Sequence, residues 1–327
     1  MTDQASDKTV HNQTQPLWQP DAQKISSTNM LGFAQQLEGA LGLVFESYQQ
    51  MHQWSVTEPE KFWQQIWQYS DIRASQLADQ VLVDADQFPG AKWFSGARLN
   101  YAENALRNRS EKIALISRLE NGSRKTLSYA ELYKQVAECA AALRQSGVTT
   151  GDRVAGFMPN IPETVVAMLA TASIGAIWSS CSPDFGINGV MDRFGQIEPK
   201  VLFGCDGYFY NGKTIDCIPR LQEISSNINS IQQLVVVPLT DNQLALEKIS
   251  VAVLYSDFLI GENTPPLVFE QLPFDHPLFI MYSSGTTGVP KCIVHSAGGT
   301  LIQHLKEQRL HTDLQEEDIL FYFTTCG

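Results

Sequence analysis

The spacing of apolar residues divides the chain into stretches of different character. Residues 1 to about 30 are polar and broken by Pro16 and Pro20, which predicts a loosely held tail. From Leu31 to about Tyr69 the spacing is helical. After the start signal Pro59-Glu60, residues Phe62, Trp63, Ile66 and Trp67 fall on one helical face, a packing stripe rather than a platform for stacking a ligand. Trp93 and Phe94, in KWFSGARLNYAENAL, take the same packing role. From about Lys112 short apolar runs alternate with helical segments, the pattern of parallel βαβ units. Ser128-Tyr129-Ala130-Glu131 is a capping box that opens a helix to about Gln145; Gly147 and Gly151 end it and lead into the strand DRVAGFMP. Pro162 and Glu163 start the helix PETVVAMLATASIG, whose small residues suit close packing on a sheet. AIWSSCS, KVLFGCD and QQLVVVP read as strands, and their unbroken apolar character implies cover on both faces. Helical stretches near 187–198 and 215–227 separate them. Residues 239–275 hold SVAVLYSDF and a Pro265-Pro266 turn, and a new unit begins at about Pro277. There is no internal repeat.

Length and charge narrow the class. A chain of 327 residues accommodates about two domains with ample core. Asp and Glu outnumber Lys and Arg 35 to 23, a formal charge of -12, so the long-range field repels polyanions. Nucleic acid and anionic membranes are therefore not expected as partners, and an anionic ligand requires a local site of backbone N–H groups, hydroxyls and a few cations. The six cysteines, at 139, 181, 205, 217, 292 and 326, form no Cys-x-x-Cys pair and no metal-ligand spacing with the six histidines. They read as reduced packing thiols, with no metal site. The N-terminal residues carry no secretory apolar core, and no run of ~18 apolar residues occurs, which points to a cytoplasmic protein with no membrane span.

Chemistry concentrates in LFIMYSSGTTGVPKCIVHSAGGT, residues 278–300. The apolar strand Leu278 to Tyr282 runs into Ser283-Ser284-Gly285-Thr286-Thr287-Gly288-Val289-Pro290-Lys291, and a second apolar segment, Cys292 to Val294, follows. Gly285 and Gly288 permit positive φ and close approach of backbone N–H groups to an anion. Ser283, Ser284, Thr286 and Thr287 add hydroxyl donors, and Lys291 adds a mobile positive charge. Charge-assisted bonds of this kind contribute roughly 1.5–3 kcal/mol each, enough in combination to hold a triphosphate on an acidic protein. A Walker loop is excluded, because Pro290 stands fifth after Gly285 and Lys291 is followed by cysteine. No Gly-x-Gly-x-x-Gly follows a strand, so the dinucleotide fingerprint is absent as well. The bland alternative is a polar turn between two strands.

The string Tyr282 to Lys291 matches Tyr-Ser-Ser-Gly-Thr-Thr-Gly-x-Pro-Lys and resembles the phosphate-binding signature of the adenylate-forming enzymes, which include the acyl-CoA synthetases. LSYAELYKQV and GDRVAGFMPNIPETVVAMLATASIGAIWSSCSPDFG are similar to the opening of the adenylation domain of short-chain acyl-CoA synthetases. HQWSVTEPEKFWQQIWQYSDI, WFSGARLNYAENAL, FGCDGYFYNGK and KCIVHSAGGTLIQHLKEQ together resemble the acetoacetyl-CoA synthetase branch, from about Trp18 to Gly327. The resemblance implies an α/β fold, the N-terminal part of the adenylate-forming architecture: a helical, aromatic-rich extension followed by βαβ subdomains with largely parallel sheets, the second incomplete. It divides the chain into a tail at 1–30, an acetyl-CoA-synthetase-type extension at 31–100 and an AMP-binding domain at 101–327. It also implies that Ser283, Ser284, Gly285, Thr286, Thr287, Gly288 and Lys291 hold the β- and γ-phosphates of ATP with Mg²⁺. Acetoacetate would attack the α-phosphorus, and the thiol of coenzyme A would take the acyl group. An acetyl- or propionyl-CoA synthetase is the alternative within the class, and a noncatalytic nucleotide-binding module the alternative outside it. The family's later motifs, an aromatic-Gly-x-Thr-Glu segment, a ribose-binding aspartate and a C-terminal lysine, have no counterpart here. The expectation is therefore a fragment with no complete catalytic set, inactive alone, in which the strands LFIMY and ILFYF have uncovered edges. Cys326 stands where relatives commonly have threonine.

Other residues carry weaker signals. His295 is a candidate base, but adenylation needs none because the carboxylate is already ionised, so positioning or packing is the expected role. Asp206, Tyr208 and Lys213 follow a strand end and admit either a contact with coenzyme A or a solvated loop. Arg193 and Lys200 are expected on solvated faces, and Gly298-Gly299 at the start of a helix.

Overall fold

A computed structural model describes residues 17–240, 246–261, 263–283 and 288–326. The chain opens with four helices, α1 (Ala22–Ser26), α2 (Asn29–Leu41), α3 (Tyr48–Thr57) and α4 (Pro59–Tyr69). Side-chain oxygens of Asp21, Thr28 and Ser47 cap the first three, while α4 begins on Pro59, whose missing N–H costs nothing in a first turn. The aromatic stripe of α4 turns inward as its spacing predicts, burying Ile66 and Trp67 and setting Phe62 edge-to-face against Phe33 of α2 at 6.2 Å. Strands β1 (Gln80–Val83) and β2 (Lys92–Ser95) form an antiparallel pair that the apolar spacing does not announce. The short β3 (Arg98–Leu99) and α5 (Tyr101–Ala105) follow.

The expected parallel pattern starts later than Lys112. Strands β4 (Ile113–Arg118) and β5 (Arg124–Ser128) make a separate antiparallel hairpin, which delivers the chain into α6 (Tyr129–Gln145). The capping box at that junction is complete: Ser128 Oγ accepts from the Glu131 N–H at 3.1 Å and Glu131 Oε2 accepts from the Ser128 N–H at 2.7 Å. The doubly wound part comprises β6 (Arg153–Phe157), α7 (Pro162–Ser173), β7 (Ile177–Cys181), α8 (Ile187–Ile197), β8 (Val201–Cys205), β9 (Gly207–Tyr210), β10 (Lys213–Asp216), α9 (Ile218–Asn227), β11 (Gln233–Val237), β12 (Ala252–Leu254) and α10 (Tyr255–Phe258). The helix expected from 215 begins only at Ile218, because residues 213–216 pair with β9 in a hairpin. After β13 (Leu272–Pro273) come β14 (Pro277–Tyr282), β15 (Cys292–Ser296), α11 (Ala297–Lys306) and a π-helical turn, Glu307–His311.

One seven-stranded sheet organises these elements in the order β12-β11-β8-β6-β7-β14-β15, parallel except for β15. Every residue of β7 and β8 is buried, as strands covered on both faces require. The segment LFIMY lies inside the sheet, between β7 and β15, rather than at an edge; β15 forms the edge, with Ile293 and Val294 exposed. ILFYF, residues 319–323, is exposed and forms no strand, contrary to its apolar pattern. No helix among the described residues is long and apolar enough to cross a membrane.

The helical opening is tied to the far end of the chain. Asp313 accepts the Asn29 N–H at 2.7 Å and pairs with Lys24 at 3.3 Å, and Arg309 donates to the Tyr69 carbonyl at 2.7 Å. The buried Asn100 amide donates to the carbonyls of Ala172, Ser173 and Glu270, which joins the start of α5 to the end of α7. An aromatic stack completes the junction: Trp67 lies 4.8 Å from Phe94, and Phe94 lies 4.9 Å from Phe274. Phe94 adopts φ 46°, a left-handed conformation that a bulky residue holds only when its surroundings dictate it. Phe274 in turn rests on Gly298 in the first turn of α11, where a Cβ would come within 2.1 Å of its ring. Gly298→Ala is therefore expected to cost about 1–3 kcal/mol through overpacking. Gly195→Ala, where a Cβ meets nothing within 4 Å, should be neutral or stabilising. Thermal unfolding followed by circular dichroism of the two variants checks the difference; equal midpoints would contradict the packing argument.

Candidate functional site

Because β14 runs parallel to β7, its end at Tyr282 reaches the same edge of the sheet as the carboxyl ends of β6, β7, β8 and β11, where open α/β sheets bind ligands. Ser179 in β7 fixes that approach. Its hydroxyl donates to the Ile280 carbonyl at 2.8 Å and shares a 2.9 Å hydrogen bond with the Tyr282 hydroxyl, whose burial pushes the phenol well above its ordinary pKa. The connection from β14 to β15 is closed at its base by Ser283 and Lys291. The Ser283 N–H donates to the Lys291 carbonyl at 3.1 Å, and the Lys291 N–H donates to Ser283 Oγ at 3.4 Å. Gly288 has φ 101°, the left-handed region in which a side chain would be strained. Lys291 is exposed. Of the seven residues assigned to phosphate by their sequence, Ser283 and Lys291 are thus joined at the carboxyl edge and Gly288 is left-handed; Ser284, Gly285, Thr286 and Thr287 lie outside the described residues.

Helix α8 packs beside this connection. Arg193 is not on a freely solvated face: its guanidinium lies 4.7 Å over the Phe185 ring and 5.5 Å from the Tyr282 ring, with Nη1 donating to the Gly189 carbonyl at 2.7 Å. That places a permanent positive charge next to the residue that leads into the loop. Gln196, one turn further on, donates to the Pro290 carbonyl at 2.9 Å. Sequence spacing offers no sign of Ser179 or Gln196, because their partners lie about a hundred residues away, and it offers none of the contact between Arg193 and Tyr282.

The remaining candidates resolve differently. Asp206 is not a solvated loop residue. It is fully buried and its carboxylate accepts from the Leu239 N–H at 2.7 Å, the Thr240 N–H at 3.1 Å and the Thr240 hydroxyl at 2.9 Å, so it clamps the end of β8 to the end of β11. Tyr208 and Lys213 occupy the β9–β10 hairpin that this clamp supports. Lys200 is likewise structural, donating to the Gly147 carbonyl at 2.5 Å and pairing with Asp152 at 3.2 Å. His295 pairs across from Phe279 on the exposed edge strand. Burial, with a smaller contribution from His295, holds His304 below its ordinary pKa, and the Tyr101 hydroxyl lies 3.2 Å from His304 Nδ1. All six cysteines are free; four are buried, Cys326 is half-buried and Cys292, next to Lys291, is exposed.

Residues 102–326, which contain the whole of this carboxyl-edge arrangement, match the family described as AMP-binding enzyme. The chain belongs to the AMP-binding enzyme family. Residues 48–105 match the family described as acetyl-coenzyme A synthetase N-terminus. The chain is 48% identical over 313 residues to an acetoacetyl-coenzyme A synthetase of Rhizobium meliloti (strain 1021), covering 95% of this chain and 48% of that protein. It is 42% identical over 323 residues to a malonamoyl-CoA synthetase of Penicillium aethiopicum, covering 95% and 44% respectively. Among solved structures, acetoacetyl-CoA synthetase from Streptomyces lividans superposes with a TM-score of 0.90 at 43% identity, over 96% of this chain and 48% of that one. The chain thus spans about half the length of the curated relatives it matches.

The clamp at Asp206 is open to direct test. Asp206→Asn replaces a carboxylate oxygen by an NH₂ facing N–H donors, an unsatisfied arrangement expected to cost about 1–3 kcal/mol. Faster hydrogen exchange at the Leu239 and Thr240 amides, with a lower unfolding midpoint, is the expected result. Unchanged protection of both amides would show that the carboxylate is not what holds them.

Proposed function

We propose that the protein activates acetoacetate for transfer to coenzyme A through an acyl-adenylate, with the connection between Ser283 and Lys291 holding the triphosphate of ATP. The observation that carries this reading is the closed base of that connection at the carboxyl edge of the sheet, with an exposed Lys291 beside it and Gly288 in the left-handed region. A chain of net charge -12 offers no general attraction to a nucleotide, so the cations near this edge, Lys291 and Arg193, supply the local field. In the first half-reaction an acetoacetate oxygen bonds to the α-phosphorus and the bond to the bridging oxygen breaks, releasing pyrophosphate. No base is required, since the acid is ionised at neutral pH. Lys291 lies where negative charge accumulates on the departing phosphates, and its contribution is electrostatic. The Mg²⁺ enters as the counter-ion of the triphosphate. In the second half-reaction the thiol of coenzyme A attacks the acyl carbon, loses its proton, and AMP departs.

The choice of acid rests on the similarity to acetoacetyl-CoA synthetases. Similarity to a malonamoyl-CoA synthetase supports a second reading, because malonamate carries a carbonyl at the same position relative to its carboxylate as acetoacetate does. The extension at 31–100 and the AMP-binding domain at 101–327 are proposed as the two units, the first capping the second.

Lys291→Ala is expected to weaken MgATP binding by tenfold or more, since a charge-assisted bond contributes ~1.5–3 kcal/mol. The circular dichroism spectrum should not change, because the side chain is exposed. Equal affinities of wild type and variant by calorimetry would remove the phosphate assignment and leave a noncatalytic protein as the better reading. In a protein of the relatives' length carrying this sequence, pyrophosphate release should depend on the acid, with a higher kcat/KM for acetoacetate than for malonamate, acetate, propionate or butyrate. A preference for malonamate would move the substrate to the second reading, and a preference for acetate would overturn both.

A further inference from the structure

We propose that Gln196 is a positioning residue for Lys291: from α8 it grips the peptide unit before the lysine and the side chain after it, so that the lysine backbone is already ordered when an anion arrives. The proposal rests on the phosphate reading of the connection for its purpose, but its geometry is independent of that reading. Gln196 Nε2 donates to the Pro290 carbonyl at 2.9 Å, and Gln196 Oε1 accepts from the Cys292 thiol at 3.8 Å. The same amide also faces the Asp192 carbonyl of its own helix, which orients the side chain toward the connection. On the opposite side Ser283 holds the Lys291 backbone through both its N–H and its hydroxyl, at 3.1 Å and 3.4 Å. Lys291 is therefore bracketed: its own N–H and carbonyl are bound by Ser283, and its two neighbours are bound by Gln196. Only the flexible side chain is left to find the ligand.

The anchor is rigid because α8 buries Val190, Phe194 and Ile197, which fixes the helix on the sheet, while Gln196 projects from the exposed side of its last turn. Nothing in the core of the helix requires glutamine there. A lysine that binds an anion already gives up side-chain rotamers, and ordering its main chain in the same step would add to that cost. Fixing the main chain beforehand lowers the cost of binding, the general effect of pre-organisation. Neighbouring Arg193 does not perform this task, since its guanidinium donates to the Gly189 carbonyl and covers two rings.

Exposed Cys292 provides a reporter that does not depend on activity. Four forms of the 327-residue chain are compared: wild type, Gln196→Ala, Gln196→Met and Lys291→Ala. Methionine keeps the length and bulk of glutamine and removes both hydrogen bonds. Without nucleotide, the rate at which dithionitrobenzoate modifies Cys292, located by mass spectrometry, should rise about threefold to tenfold in both Gln196 variants, the loss expected for one or two hydrogen bonds of this kind. Their thermal midpoints should stay at the wild-type value, and MgATP affinity by calorimetry should fall by a similar factor. Wild-type Cys292 rates in Gln196→Met overturn the proposal, because bulk and not hydrogen bonding would then be what Gln196 supplies. Faster Cys292 modification with undiminished MgATP affinity also overturns it, since the clamp would exist without positioning anything for the ligand. If Lys291→Ala binds MgATP as tightly as wild type, the phosphate assignment falls, while the nucleotide-free Cys292 rates still decide whether the clamp exists.

Discussion

The pairing of β14 with β7 is the constraint on which the rest of the site depends. The two strands are separated by almost a hundred residues, and their parallel alignment sets Phe279 opposite Trp178. Parallel ladders are slightly weaker per residue than antiparallel ones, and here a side chain reinforces the seam: Ser179 bonds both the Ile280 carbonyl and the Tyr282 hydroxyl. Trp178 itself needs Gly156 on the neighbouring strand, because a Cβ there would stand 2.7 Å from its ring. The register of this one seam determines that Ser283 emerges at the carboxyl edge. A strand slipped by one residue would turn Leu278 and Ile280, both buried, toward the opposite face.

Around that seam, single elements serve both the core and the carboxyl edge. Helix α8 buries one side on the sheet and presents Arg193 and Gln196 to the connection between β14 and β15 from the other. Helix α11 follows directly from β15 and receives, on Gly298, the aromatic stack that begins at Trp67 in the opening helices. The aromatic extension is thus bolted to the helix that continues the β14–β15 hairpin. Close packing leaves the Phe274 ring no room for a side chain at Gly298, so a disturbance at Trp67 would reach α11 through the stacked rings.

Much of this was legible beforehand where the signal is local. A capping box needs only four residues, and Ser128 to Glu131 closes as its pattern predicts. The aromatic stripe of α4 follows from a 3.6-residue period, and the buried parallel strands follow from their unbroken apolar runs. Asp206 shows the limit of such reading. Its position after a strand suggested a ligand or solvent, whereas three of its hydrogen bonds come from residues 239 and 240, which reach it only because β11 lies beside β8. ILFYF has the composition of a strand, yet a strand exists only where another backbone supplies its hydrogen bonds, and among the described residues none pairs with it.

The sequence by itself determined the capped helices, the covered strands of the sheet and the loop motif that resembles its family's signature, since period, capping and a contiguous motif are properties of neighbouring residues. Only the tertiary structure decided the order of the strands, the interior place of β14, and the roles of Ser179, Arg193, Gln196 and Asp206. Those roles are hydrogen bonds and ring contacts between segments tens to a hundred residues apart in the chain. A donor's partner at that separation is chosen by the packing of whole helices and strands, and no spacing along the chain encodes it.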